Sequence, residues 1–252
     1  MDIAVLIKQV PDTTAKISIS GGSVDEESVG KWSISPYDEY ALESALQLKD
    51  ATSGEVVAIT CGPNRASKAL TEAAAVGADR LIHIVVDNVN MDSIQLQKLL
   101  AAAIEKSGCE TILCGKQAAD TNSGSTGPGL AIALDATLVG MVSDISFEGS
   151  DLIVTRSGLS GAEKVVVSPP CVFTFDKGTT ELRRPNVRGI MMAKKKEIES
   201  ISSSDLGLEL GESSVSLSSH SAPPQKPPGQ KFEGADSVSK VVRKLREEAN
   251  VI

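Results

Sequence analysis

Short runs of consecutive apolar residues recur along the first 134 residues, each followed by a longer stretch with helical spacing. This alternation constrains the fold more than any single motif. Ile3–Ile7, Val56–Thr60, Leu81–Val86 and Thr111–Cys114 are mostly apolar and too short for helices. Runs of this kind suit strands buried on both faces. Between them, Pro36 opens a helix with Asp38 and Glu39 in its first turn, where the helix dipole favours acids. Ala41, Leu42, Ala45, Leu46 and Leu48 supply its apolar stripe. Further helices are expected over about 65–76 and 93–106, and from Pro128 to Leu134. A β-α-β-α order means an α/β fold with a doubly wound, mostly parallel sheet and right-handed crossovers.

The texture changes twice. Ile17 and Ile19 alternate with polar residues before Gly21-Gly22 turns the chain. After about residue 138 come four strands without intervening helices: Val139–Phe147, Leu152–Arg156, Lys164–Val167 and Val172–Phe175, with Pro169-Pro170 breaking the run. The second half is therefore β-rich. A basic segment, 183–196, follows. From Ser200 to about Lys231 the chain is rich in Ser, Pro and Gly, including Pro223-Pro224 and Pro227-Pro228, and reads as an extended arm unable to form a core. Ala235–Glu248 is a terminal amphipathic helix carrying Val238, Val241, Val242 and Leu245. The expected organisation is a 1–198 α/β domain that includes the basic segment and a 199–252 arm with its terminal helix.

Composition excludes several functions. The 252 residues carry 25 Lys+Arg against 33 Asp+Glu, a net charge of −8, with 3% aromatics. An acidic, aromatic-poor chain is a poor match to a nucleic acid backbone or to unpaired bases. No apolar run approaches a membrane span of roughly 18–20 residues, and the acidic start does not resemble a signal peptide. A cytoplasmic location without direct membrane insertion is expected. Cys61, Cys109, Cys114 and Cys171 contain no Cys-x-x-Cys spacing, and no metal site is expected. Cys109 and Cys114, five apart, are placed on opposite faces of one strand. His83, inside an apolar strand, reads as a satisfied core histidine; His220 lies in the arm. Catalysis by a nucleophile and its base is poorly supported.

The segment with the most chemistry is Cys114-Gly115-Lys116-Gln117-Ala118-Ala119-Asp120-Thr121-Asn122-Ser123-Gly124-Ser125-Thr126-Gly127-Pro128-Gly129. It joins a buried strand to a helix N-terminus at the carboxyl edge of the sheet, where open α/β sheets bind ligands. Glycines let backbone N–H groups approach an anion, hydroxyls add donors, and the helix dipole favours negative charge. The other reading is an ordinary Gly/Ser-rich connection. The spacing is neither a P-loop nor Gly-x-Gly-x-x-Gly. Leu6-Ile7-Lys8 and Cys61-Gly62-Pro63 end other strands at the same edge. Cys61 either packs on a ligand or is a small buried hydrophobe. In the basic segment, Val187, Ile190 and Met191 would be apolar anchors among steering cations; a solvated cationic face is the alternative.

Taken together, Ile7-Lys8-Gln9-Val10-Pro11-Asp12, Ser35-Pro36-Tyr37-Asp38-Glu39, Cys61-Gly62-Pro63, Gly77-Ala78-Asp79-Arg80, Gly115-Lys116-Gln117-Ala118-Ala119-Asp120 and Ala193-Lys194-Lys195-Lys196 resemble the small (beta) subunit of electron transfer flavoproteins over nearly the whole length. The resemblance implies an adenine-nucleotide-binding type of doubly wound domain. It also implies a heterodimer whose alpha subunit mainly holds the redox-active FAD, with one structural AMP in the beta subunit. By that carry-over, Asn122, Ser123, Gly124, Ser125, Thr126 and Gly127 would hold the phosphate, Leu6, Ile7, Lys8, Ser35 and Cys61 would surround the adenosine, and Asp120 would be a further cofactor-binding residue. Val187, Arg188, Gly189, Ile190 and Met191 would dock flavoprotein dehydrogenases such as acyl-CoA dehydrogenases, with Val187 where the family anchor is usually leucine. A quinone reductase is the implied acceptor.

Thr13 and Glu163 would lie on the flavin side. Val10-Pro11-Asp12-Thr13 matches electron-bifurcating members, which place a second FAD in the AMP site and take electrons from NADH. Their Asp-Gly-Asp-Thr-Ala-Gln-Val-Gly-Pro loop reads Asp120-Thr121-Asn122-Ser123-Gly124-Ser125-Thr126-Gly127-Pro128 here, which favours AMP. An electron carrier subunit, rather than an enzyme, is the expectation. A bifurcating subunit and a stand-alone nucleotide-binding protein are the alternatives.

Overall fold

The computed structural model describes residues 1–86, 91–149, 151–226 and 228–252, so Pro227 of the second proline pair lies outside the described residues. In chain order the elements are β1 (Ile3–Leu6), β2 (Gln9–Pro11), β3 (Ile19–Ser20), β4 (Ser23–Val24), β5 (Trp32–Ile34), α1 (Pro36–Thr52), β6 (Val56–Gly62), α2 (Ser67–Val76), β7 (Arg80–Val85), α3 (Ser93–Ser107), β8 (Thr111–Gly115), α4 (Thr126–Ala133), β9 (Thr137–Glu148), β10 (Asp151–Gly158), β11 (Gly161–Val167), β12 (Cys171–Phe175), α5 (Val187–Ala193), β13 (Glu199–Ile201) and α6 (Val238–Glu247). The chain divides into two compact units, Met1–His220 and Ser221–Ile252.

A nine-stranded sheet in the order β11-β10-β9-β12-β8-β1-β6-β7-β13 organises the first unit. It is parallel from β9 to β13, and β10 and β11 extend it antiparallel. Side chains alternate between its faces. Ile3, Val5 and Ile7 join Leu42, Leu46, Leu70 and Phe173 in the layer under α1 and α2. Ala4 and Leu6 join Ile59, Ile84, Leu99, Ile104 and Leu130 in the layer under α3 and α4. Both layers cover the parallel strands, which is why the runs read as continuous rather than alternating hydrophobes.

The four late strands join the sheet in two ways. They do not form one antiparallel series: β9, β10 and β11 do, while β12 returns to lie parallel between β8 and β9. β9 makes this possible by serving two ladders. Its first half pairs with β12, and its second half pairs with β10. The register with β12 shifts where Met141 takes a left-handed φ of 60°, a bulge between the two uses.

Two further expectations change. Cys109 precedes β8 rather than lying on it, and both Cys109 and Cys114 are buried in the layer under α3 and α4. The arm also begins later than residue 199. Glu199–Ile201 pairs with β7, and Leu206, Leu208 and Leu210 pack against the same layer, so the first unit runs to His220. Alternate leucines facing the core supply the burial that the Ser-rich composition concealed.

The second unit contains α6. Its Val238, Val242 and Leu245 are exposed, Lys240 sits 5.7 Å from the Phe232 ring centre, and Lys244 bridges Glu248 at 2.6 Å. Among the described residues, no helix is long and apolar enough to cross a membrane.

Candidate functional site

From β1 the chain winds outward through β6 and β7, then crosses back to β8 on the other side of β1. This reversal opens a crevice at the carboxyl ends of β1 and β8, the place where doubly wound sheets bind ligands. A cavity of about 490 Å³ occupies it. Leu6, Ile59, Val86, Leu96 and Leu100 form an apolar wall; Lys8, Cys61, Gly115, Asp120, Ser123, Gly124 and Thr126 bring polar edges and backbone to the rim. An apolar recess with a few convergent polar groups is what a small organic ligand needs.

Asp38 ties the crevice together. Its carboxylate, 6% exposed, accepts the Lys8 N–H at 2.8 Å and the Gly115 N–H at 2.9 Å, so one side chain spans the ends of β1 and β8. Burial pushes its pKa up to about 7, against the pull of those two N–H groups. Gly115 is required beside it, because a Cβ there would collide with Asp38 and Tyr37. Ser35, the residue before α1, is fully buried and caps nothing; its Oγ instead accepts the Ala119 N–H at 3.3 Å. It supports the 116–125 loop from behind.

The loop itself is folded by two left-handed residues. Asn122 and Gly124 take left-handed φ values of 51° and 65°, folding the backbone back on itself, and Asn122 Oδ1 accepts from Gln117 Nε2 at 2.8 Å. The first amides of α4 have no intrahelical acceptor, and Ser125 at the N-cap does not cap them with its side chain. Ser125 Oγ is fully buried and has no hydrogen-bond partner among the described residues. Ser123, Gly124 and Thr126 at the rim, with uncapped helix amides behind them, fit an anionic group such as a phosphate. Gly127 allows α4 to sit this close to the sheet, since a Cβ would strike Thr174.

Charge at the rim is mostly paired. Lys8 bridges Asp120 at 2.8 Å, and Lys116 bridges Asp176 at 2.7 Å while lying 5.1 Å from the Tyr37 ring centre. Cys61 and Cys114 border the cavity as thiols whose pKa values are pushed up by burial. They act as apolar lining, not nucleophiles. His83 donates from Nε2 to the Gly62 carbonyl at 3.0 Å and is 2% exposed, a core histidine as expected. Among the described residues there is no group of three or more metal-ligating side chains.

Of the residues singled out from sequence, Leu6, Ile7, Lys8, Cys61, Asp120, Ser123, Gly124 and Thr126 line the cavity. Ser35, Asn122, Ser125 and Gly127 shape it from the second row. Thr13 is exposed in a turn, and Glu163 stands on the exposed start of β11, 3.7 Å from Arg156; neither lines the cavity. Sequence reasoning missed one whole wall: Met91, Asp92, Ser93, Leu96 and Leu100 at the start of α3. The signal was present as Asp92-x-x-Gln95, a capping box opening a helix that leaves the sheet at the ligand edge.

Within the basic segment, Val187–Ala193 form α5. Asn186 caps it through Oδ1, accepting the Gly189 N–H at 2.7 Å, and Gly189 lets it pass close to the Ala75 carbonyl of α2. Val187, Met191 and Met192 are 76%, 60% and 60% exposed. The cations divide. Lys196 donates to the Ala78 carbonyl at 2.6 Å, and Arg183 is tied to Glu43 and Asp50, so neither is a free steering charge.

Comparison with known proteins agrees with this architecture. The electron transfer flavoprotein domain model matches residues 23–206. The chain is 34% identical over 258 residues to the electron transfer flavoprotein subunit beta of Bacillus subtilis, covering the full length of both. It is 35% identical over 250 residues to the human protein of that description, spanning 97% of this chain and 96% of that one. For the Thermoanaerobacterium thermosaccharolyticum protein the identity is 34% over 259 residues, spanning 99% and 98%. The domain match, together with relatives at 34–35% identity over nearly the whole chain, places this α/β protein in the electron transfer flavoprotein beta-subunit family.

Proposed function

We propose that this chain is the beta subunit of a heterodimer whose alpha subunit holds the FAD, and that its own cavity holds AMP as a structural cofactor. The observation that carries the nucleotide reading is the Ser123, Gly124 and Thr126 edge, ahead of the uncapped amides of α4, facing the apolar wall of one cavity. The phosphate would sit on Ser123, Gly124, Thr126 and the α4 amides, with the base against Leu6, Cys61 and Leu100. The FAD supplies the redox chemistry, and this chain is a carrier subunit, not an enzyme. Its residues hold the nucleotide and exclude water from it. Val187 and Met191 present an apolar face to flavoprotein dehydrogenases, and electrons leave toward a quinone reductase or similar acceptor. Small, partly apolar surfaces suit transient electron-transfer encounters. The 221–252 unit, with the exposed face of α6, would order against the alpha subunit.

Denaturing the purified heterodimer and weighing the released small molecules tests this reading. One FAD and one AMP per heterodimer is the expected result; no mononucleotide at all would refute it. Two flavins would decide for the second reading, electron bifurcation from NADH, which Val10-Pro11-Asp12-Thr13 favours. The docking surface has its own test. Val187→Asp places a charge at an exposed anchor and should slow reduction by a flavoprotein dehydrogenase about tenfold or more, with nucleotide content unchanged. An unaltered rate would remove α5 from the docking surface.

A further inference from the structure

The cavity wall built by the start of α3 is held from behind by a strap of the same chain. After β13, Leu206, Leu208 and Leu210 pack, partly buried, against the core layer that contains Leu99 and Ile104 of α3. The strap then crosses the first turn of α3. Gln95, 7% exposed and outside the cavity lining, donates through Nε2 to the Leu210 carbonyl at 3.3 Å and the Gly211 carbonyl at 3.0 Å. Asp92 Oδ2 accepts the Ser214 N–H at 2.7 Å.

Both side chains are also the two halves of the α3 capping box. Asp92 Oδ1 accepts the Gln95 N–H at 2.9 Å, and Gln95 Oε1 accepts the Asp92 N–H at 3.2 Å. One face of this turn, through Met91, Asp92, Ser93 and Leu96, therefore borders the cavity while the other is clasped by the strap.

We propose that Gln95 is a positioning residue for the bound nucleotide, acting by clasping the 206–214 strap to the helical turn that walls the cavity. The inference rests on the cavity being the mononucleotide site. A glutamine is suited to this double duty because its oxygen serves the helix cap while its amide serves the strap. A glutamate at the same position can do only the first. It keeps the capping box, and its charge favours a helix N-terminus, but it presents an acceptor to two carbonyls.

Gln95→Glu in the intact heterodimer separates the two roles. With AMP as the probe, the variant should release the nucleotide about tenfold faster on dilution, the loss expected for two hydrogen bonds. Amide hydrogen exchange should rise across residues 206–214 while α3 stays protected. Gln95→Met, which removes both roles, should release AMP at least as fast and expose α3 as well. A Gln95→Glu heterodimer with the parent release rate, or with unchanged exchange in the strap, overturns the clasp, because a purely helix-capping residue behaves that way. A parent heterodimer that carries and binds no AMP overturns the nucleotide reading itself, and the exchange measurement then still reports on the strap.

Discussion

Replacing Asp38 by Asn is expected to remove about 4 kcal/mol of pH dependence from folding stability. The buried carboxyl has a pKa of about 7 in the fold against an ordinary value of 3.8, with burial as the main cause. Between those two values the folded chain holds a proton that the unfolded chain has lost. Stability from this group is therefore complete below about pH 4 and declines as pH rises through about 7. Asparagine cannot titrate, so the slope contributed by this site disappears. It also keeps only one acceptor for the two N–H groups of Lys8 and Gly115, which lowers stability at every pH by about 1–3 kcal/mol. Urea unfolding of parent and variant at pH 5 and pH 8 measures both parts. The parent's advantage should be larger at pH 5, and a variant that keeps the parent's slope would show that Asp38 is ionised throughout.

Arg183→Met is expected to cost about 3 kcal/mol at neutral pH, the lower end of the range for breaking a buried ion pair, since the guanidinium keeps its outer edge in water. Glu43 on α1 is 4% exposed, and Arg183 supplies it with bonds from Nε, Nη2 and its own backbone N–H at 2.9–3.2 Å. Burial by itself would push the Glu43 pKa up, but those bonds outweigh it and hold the group below its usual value. In the parent, the stabilisation is present above the ordinary carboxylate range and is lost as pH falls through the lowered pKa. With methionine at 183 the guanidinium bonds are lost and only the backbone N–H of residue 183 and Gln47 Nε2 still oppose burial, so Glu43 takes up a proton more readily and the deficit shrinks in acid. Denaturant melts at pH 7 and pH 4 should therefore differ less at the lower value. The double variant Arg183→Met/Glu43→Met should recover most of the loss, because no buried charge remains unpaired. A single variant within 0.5 kcal/mol of the parent, near the level of ordinary surface substitutions, would mean that water already reaches Glu43.

Arg183 also shows why the basic segment was only partly legible. Composition marks residues 183–196 as cationic, and a local reading treats the charges alike. In the fold, Arg183 locks the segment onto α1, Lys196 closes on the Ala78 carbonyl, and Val187, Met191 and Met192 are left as the exposed apolar face. Which cations steer and which are structural depends on residues more than a hundred positions away.

Elements were legible wherever the burial pattern was local. Consecutive apolar residues at Ile3–Ile7 and Val56–Thr60 announced strands covered on both faces, and the helix stripe Ala41–Leu48 faces the core as its spacing requires. The loop from Gly115 to Gly129 carried its chemistry in composition, and most of its residues do reach the cavity or support it. Leu206, Leu208 and Leu210 carried a signal too, a period-two pattern inside a Ser-rich stretch, which composition outweighed.

The residue pattern by itself determined the α/β class, the parallel central strands and the glycine- and hydroxyl-rich turn before α4, because periodicity, turn chemistry and helix polarity act over a few residues. Tertiary structure alone decided that β12 slips between β8 and β9, that Asp38 bridges two strand ends, and that Gln95 meets Leu210 across 115 positions. Those outcomes depend on closing long loops and on which buried polar groups then find one another. Local spacing shows which face of an element turns inward and leaves open what it meets there.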